Sequence, residues 1–497
     1  MKKFTVLVAL ALLAAAGTGY AVTCAQDNVP AASLLVPYFK VGRNGSTGGD
    51  IAEGGVDTMI AITNVSDINL IAHVTVWNKY SAAVLDFNVP MTGYDVATFR
   101  MKDILNGKLN VNPLTQDLDV FAGADDVCYN TYASLGGSFI RFDNPDSADA
   151  FNAISTYAEP AYTGAFRSRV WDSLDESGDV SALGVGAGSA YKDNDNAACG
   201  KTGANDGLAG DFSGYVTIDV VNYCTNFFPS DASFYINDAI ATRGWGLTGA
   251  GPNVLMGDTF FIDPSEAAGN ISGDAVIALE FDTRLDWTTE KTFYNRYFTA
   301  NDQANTPASV PAGYRFTGDG REPLGHTYGF RYLNDAAAGL NTWAVVWRSD
   351  RYQPTLAAPA EVNLCSWLRG VTGHPGFTTK PIGIVTWDED ENSFTPSGGG
   401  PSGGDIPNPD KYVYLESQRI KISGNSDMNP AGFDFGWTAW GFTPASDNFS
   451  YYQAHVTVEH TAPGAFVSVG HGAMLLDNEF TCSPVAIGQT PGNIATP

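Results

Sequence analysis

Apolar and polar residues alternate with period two through most of this chain. Leu70, Ala72, Val74 and Val76 fall on one side of a strand, with His73 and Thr75 on the other. Leu85, Phe87 and Val89 alternate with Asp86 and Asn88, and Val216, Ile218 and Val220 with Thr217 and Asp219. Val456 and Val458 alternate with His455, Thr457 and Glu459. Strands with one apolar and one polar face belong to antiparallel sheets packed on one side, so the polar sets are expected to face water. Helix signals are few. Asn144 caps a short run with Pro145 in first position and Ala148 to Ile154 following, and Met101 to Leu105 predicts a single turn. The pattern predicts an all-β chain of antiparallel β-sandwich domains with long Gly/Asp-rich loops and few short helices, without any βαβ rhythm.

One pentapeptide occurs twice. Ala72-His73-Val74-Thr75-Val76 returns as Ala454-His455-Val456-Thr457-Val458. Upstream, Thr58, Thr63, Ser66 and Asp67 match Thr438, Thr443, Ser446 and Asp447 at the same spacing, with two residues inserted before the second strand. This self-similarity predicts a duplicated meander of three strands, one copy near each end, the insertion being taken up in a longer hairpin loop. Between the copies, Ser173 to Asp211 and Thr395 to Asp410 are rich in Gly, Asp, Ser and Pro and read as loop or linker. The organisation expected is a leader at 1–21, a front sandwich at 22–125, a β-rich middle at 126–400 and a terminal sandwich at 401–497. The middle strands, around Phe139, Val216, Phe260, Ile277, Val345 and Ile384, could equally complete the sheets of the two ends.

The first residues depart from the strand pattern. Met1-Lys2-Lys3 is cationic, Phe4 to Ala16 is unbroken apolar sequence, and Gly19-Tyr20-Ala21 is a small-x-small cleavage signal. That reads as a secretory signal peptide, too short to span a bilayer and cut after Ala21, which places the mature chain in an extracellular, cell-surface or periplasmic space. No later apolar run reaches spanning length, so no integral membrane span is expected. The six cysteines, at 24, 128, 199, 224, 365 and 482, are an even set without a CxxC pair, which in a secreted chain reads as disulfides of open connectivity. A bridge between Cys199 and Cys224 would close a loop of about 25 residues and contribute on the order of 3 kcal/mol.

Charge narrows the partners. With 27 basic and 54 acidic residues the chain carries −27, and losing Lys2 and Lys3 makes it more negative still. Such a field repels phosphates, so nucleic acid is not an expected partner. It suits divalent cations. Asp193-Asn194-Asp195-Asn196 opens a Gly-rich loop, and Asp388-Glu389-Asp390-Glu391 follows a strand ending at Trp387. Clustered carboxylates and amides provide the oxygen ligands calcium requires, with Asp388, Asp390, Asp193 and Asp195 as leading ligands, although neither stretch has EF-hand spacing. A solvated acidic loop is the competing reading.

Catalysis has little local support. No Gly-x-Ser-x-Gly elbow surrounds a serine, and none of the six histidines stands at zinc-ligand spacing from a cysteine. His455 and His460, five apart on a strand, point to opposite faces. No catalytic residue is assigned and a non-enzymatic protein is expected. Trp77, Trp343, Trp347, Trp437 and Trp440 lie on or beside predicted strands, where core packing and sugar stacking compete as readings. Trp437 and Trp440 differ by three, so one of them faces outward.

Several runs together resemble a family of large secreted bacterial proteins of uncharacterised activity. They are Ser33-Leu34-Leu35-Val36-Pro37-Tyr38-Phe39, Leu85 to Val89 with Thr92 to Val96, Gly214 to Asn222, Gly257-Asp258 with Phe260 to Pro264, and Asp388 to Asn392. The resemblance implies a secreted β protein and no particular chemistry. The function expected is structural: a surface, filament or matrix subunit that associates with itself or with other cell-surface components. Gln26 to Phe39 is a candidate strand for donation to a neighbour, or else the first strand of its own sandwich. The alternative function is binding of, or action on, polysaccharide.

Overall fold

The computed structural model describes residues 25–26, 29–42, 51, 54–67, 70–78, 83–107, 140–141, 170–171, 174, 211–221, 253–263, 270–279, 324–325, 327–335, 337–348, 383–395, 417–422, 428–430, 432–442, 454–461 and 469–476. The expected leader at 1–21, all six cysteines, Asp193 and Asp195 with their expected loop, the expected helix at 144–154, His326, His374 and the expected linker from 396 to 410 lie outside them.

Four antiparallel sheets account for the strands. Sheet I has seven, in the order β1 (Ala25–Gln26), β11 (Ile277–Leu279), β2 (Ser33–Val41), β8 (Phe212–Val221), β4 (Leu70–Asn78), β5 (Ala83–Met91) and β7 (Ile140–Arg141). Sheet II runs β10 (Asn270–Ala275), β9 (Leu255–Asp263), β3 (Asp57–Asn64) and β6 (Val96–Arg100). Sheet III runs β15 (Ser393–Phe394), β14 (Gly383–Asp388), β17 (Phe435–Gly441), β12 (Thr327–Leu333) and β20 (Met474–Leu475). Sheet IV runs β16 (Ser417–Lys421), β13 (Asn341–Arg348), β18 (Ala454–Thr461) and β19 (Val469–Gly472). Helix α1 (Met101–Leu105) is the single predicted turn. The amide of its second residue, Lys102 N–H, donates to the distant Asp57 carboxylate at 3.1 Å, which Arg100 Nε also reaches at 2.9 Å. No helix among the described residues is long and apolar enough to cross a membrane.

Each pair of sheets shares a core. Leu34, Val36, Ala72, Val74, Val76, Phe87, Val216 and Ile218 of sheet I cluster with Ile60, Ile62 and Phe99 of sheet II, and Met101, Ile104, Leu105 and Trp171 join them. Phe330, Tyr332, Ile384 and Trp440 of sheet III cluster with Ala344, Val346, Ile420, Val456 and Val458 of sheet IV. Described strands between 126 and 400 are divided between the pairs: β7 to β11 complete sheets I and II, β12 to β15 complete III and IV. Sheet membership therefore changes between Leu279 and Thr327. β10 and β11 form one path that leaves sheet II for sheet I at buried Val276.

The duplicated segments are not meanders. β3 and β17 each lie in one sheet, and the chain then crosses to the facing sheet, where the pentapeptide strands β4 and β18 sit. Each pentapeptide strand is flanked by the strand that follows it, β5 or β19, and by a strand from elsewhere, β8 or β13. The link between the first two strands is a crossover between layers, where two extra residues disturb no hairpin register.

Much of the expected wet face is covered. His73, Thr75, Thr217 and Asp219 are buried, as are Thr457 and Glu459. The cause is a second packing, of sheet IV against the side of sheet I that turns away from sheet II. Tyr38 of β2, Phe261 of β9 and Val345 of β13 form one apolar cluster. Trp77 stacks on Tyr215 at 5.7 Å, and Tyr215 meets Trp347 edge-on at 5.9 Å. Ser417 Oγ donates to the Pro37 carbonyl at 2.8 Å. Glu459 accepts from Lys40 Nζ at 3.0 Å and from Arg419 Nε at 2.7 Å. A bulge between Val36 and Phe39, where Pro37 has no N–H to give the ladder, shifts the parity of β2 and turns Tyr38 and Lys40 to this interface.

β2 itself lies between β11 and β8, buried along its whole length. The part of the candidate donor segment from Ser33 onward is thus paired within its own sheet, with β8 along most of its length and with β11 at Ser33–Leu35.

Candidate functional site

Sheet III is the outer layer of the second pair, and its free face carries an aromatic row. In β14, Ile384 and Thr386 are buried, whereas Val385 and Trp387 point away from the core. In β17, Gly436, Thr438 and Trp440 are buried while Phe435, Trp437 and Ala439 are outward. In β12, Tyr328, Phe330 and Tyr332 are buried and Arg331 is outward. Register places Trp387 opposite Trp437, and Trp437 opposite Arg331. Residues directly opposite on one face have Cβ atoms about 5 Å apart, so the three side chains are neighbours across three strands. Trp387 is 36 % exposed, Trp437 42 % and Phe435 36 %. The Arg331 guanidinium sits 5.3 Å from the Trp437 ring centre, and its Nη2 lies 3.5 Å from Glu389 Oε1.

The underside is braced. Tyr332 donates its hydroxyl to the Trp387 carbonyl at 2.7 Å. Thr386 Oγ1 donates to the Met428 carbonyl at 2.8 Å and lies 3.1 Å from Thr438 Oγ1, which accepts from Trp440 Nε1 at 3.0 Å. Phe330 meets Trp440 edge-on at 5.2 Å. Gly436 is required between β14 and β17, because a Cβ there would strike the Trp387 carbonyl oxygen. Two indoles are thus held on strands whose buried neighbours fix them.

The acidic run after Trp387 is the turn joining β14 to β15. Asp388 Oδ1 accepts from the backbone amides of Asn392 at 2.7 Å and Asp390 at 3.0 Å, and Oδ2 accepts from Asn392 Nδ2 at 2.8 Å. The Asn392 side-chain bond, joined by these backbone bonds, holds the Asp388 carboxyl below its ordinary pKa. Glu391 takes the left-handed conformation that closes the turn, at φ 66°. Asp388 and Asp390, the described pair of calcium candidates, therefore share one hairpin turn in which Asp388 is occupied by the turn's own donors. Among the described residues no group of three or more His, Cys, Asp or Glu is placed to hold a metal ion. Burial, with the charges of Asp388, Glu389 and Asp434, pushes the Tyr332 phenol well above its ordinary pKa.

The other candidates separate. Trp77, Trp347 and Trp440 are fully buried and Trp343 nearly so, with Arg419 3.7 Å over the Trp343 ring. Of the five tryptophans singled out in the sequence, Trp437 is the exposed one. Trp387, Arg331 and Phe435 were not singled out. The signal for Trp387 was present in Ile384-Val385-Thr386-Trp387, whose alternation puts the indole opposite the apolar Ile384. Arg331 alternates in the same way with Phe330 and Tyr332. His455 and His460 face opposite sides of β18, paired across the ladder with Trp347 and Thr342.

Comparison with protein-family models, with curated proteins and with solved structures finds no match. The functional reading rests on this chain alone.

Proposed function

We propose that this is a non-enzymatic protein of the cell exterior that attaches to polysaccharide through the Trp387–Trp437 face of sheet III. The observation that carries the reading is the pair of directly opposed, partly exposed indoles on a braced sheet face, beside Arg331 and Glu389. Sugar rings present flat arrays of C–H groups that pack on indole faces, and their hydroxyls need charged or amide partners at the edge. A flat row of aromatics with a guanidinium and carboxylate at its end meets both needs. The N-terminal leader supports the exterior location, and the strong negative charge suits a soluble chain that does not adhere to anionic surfaces.

The test is retention of the purified mature chain on immobilised polysaccharides, with Trp387→Ala and Trp437→Ala. Each substitution is expected to weaken retention about tenfold, equivalent to about 1.4 kcal/mol, with the circular dichroism spectrum unchanged. Retention that ignores both substitutions overturns the reading. A chain that binds no glycan, but forms oligomers that the same substitutions dissociate, replaces attachment by self-assembly.

A further inference from the structure

The charge around the aromatic row bears on which polysaccharide it takes. Five carboxylates border the row: Asp388, Glu389, Asp390 and Glu391 in the turn after Trp387, and Asp434 just before Phe435. All but half-buried Asp388 are exposed. Among the described residues of sheet III the one cation is Arg331, already paired with Glu389. A second copy offering the same face would set carboxylates against carboxylates, and a polyanionic glycan would meet the same repulsion. A positively charged partner would meet attraction from both the carboxylates and the indoles. The chain displays that geometry itself, with Arg331 lying over the Trp437 ring.

Resting on the reading of this face as a polysaccharide site, we infer that its ligand is a glycan bearing protonated amines, a polymer of amino sugars. Its ring faces stack on Trp387 and Trp437 while its ammonium groups pair with Glu389, Asp390 and Asp434. The selectivity is electrostatic, so it weakens with salt, whereas the stacking contribution does not.

The experiment compares retention of the full mature chain on a de-N-acetylated amino-sugar polymer and on its fully N-acetylated form, below the pKa of the amine. A neutral glucan, an anionic polysaccharide and polylysine serve as further probes. The expected result is about tenfold stronger retention on the de-N-acetylated polymer, falling with added salt and with deprotonation of the amine. Glu389→Gln combined with Asp434→Asn should bring retention down to that on the acetylated form, and the tryptophan variants should weaken both. Equal retention on the two forms overturns this inference while leaving polysaccharide attachment standing. No retention on any glycan overturns both. Retention on polylysine equal to that on the amino-glycan, and indifferent to the tryptophans, reduces the effect to unspecific charge attraction and also overturns it.

Discussion

A single carboxylate shows how tightly the two sheet pairs are joined. Glu459, Lys40 and Arg419 have side chains only 6–7 % exposed, and each oxygen of Glu459 is taken by a different cation. Removing one member of a buried ion set leaves charge without compensation, which costs more than the intact set contributes. Glu459→Gln is therefore expected to lose about 3–5 kcal/mol, read from the urea midpoint, because two cations then face a neutral amide. Arg419 also covers the Trp343 ring and Lys40 the Phe261 ring, so both cations have packing roles that persist in the variant. A midpoint unchanged by Glu459→Gln would show that the triad is not sealed from water.

At the scale of strands, close approach matters as much as pattern. Gly436 lets β17 pass against the Trp387 carbonyl, where Tyr332 also bonds. Gly436→Ala has to push β14 away, so a loss of about 1–3 kcal/mol is expected, together with a shift in Trp387 fluorescence. Gly432 is a control: its φ of +90° is strained for alanine but a Cβ there meets open space, so Gly432→Ala should lower stability without altering Trp387. Sequence pattern predicted these strands and the outward tryptophan correctly, because period two depends only on which residues avoid water on one face. It failed at His73, Thr75, Asp219 and Thr457, since polar side chains read as solvent-facing whether water or another sheet covers them. The second packing partner lies hundreds of residues away, beyond any local window. The aromatic row was half legible for a related reason: Trp437 declares its face within one strand, but its opposition to Trp387 and Arg331 exists only once β12, β14 and β17 are in register.

For the molecule as a whole, stacking sheet IV on sheet I places titratable groups where water is scarce, and their effects on stability oppose one another. Asp219 of β8 is buried, with His73 as its cross-strand neighbour and Ser33 donating a hydroxyl bond to Oδ1. Burial outweighs that bond and raises its pKa from 3.8 to about 7. Protonated Asp219 favours the folded chain, so its contribution is fully present below about pH 4 and is lost as pH rises through 7. His455 of β18 has its Nε2 sealed, and desolvation lowers its pKa from 6.5 to about 4. Neutral His455 favours the folded chain, so its contribution is present above 6.5 and is lost as pH falls through 4. Between those limits the two slopes run in opposite directions and flatten the profile. Asp219→Asn keeps an acceptor for Ser33 and removes one slope. Relative to the parent, the variant should gain stability steadily as pH rises from about 4 to about 7, by as much as about 4 kcal/mol for a shift of about three units. Its own profile should fall more steeply on acidification, because His455 is then no longer offset. Urea midpoints measured for both chains across this range decide the matter: a constant difference at every pH would mean that Asp219 ionises in the folded chain as freely as in the unfolded one, and that the packed face is open to water.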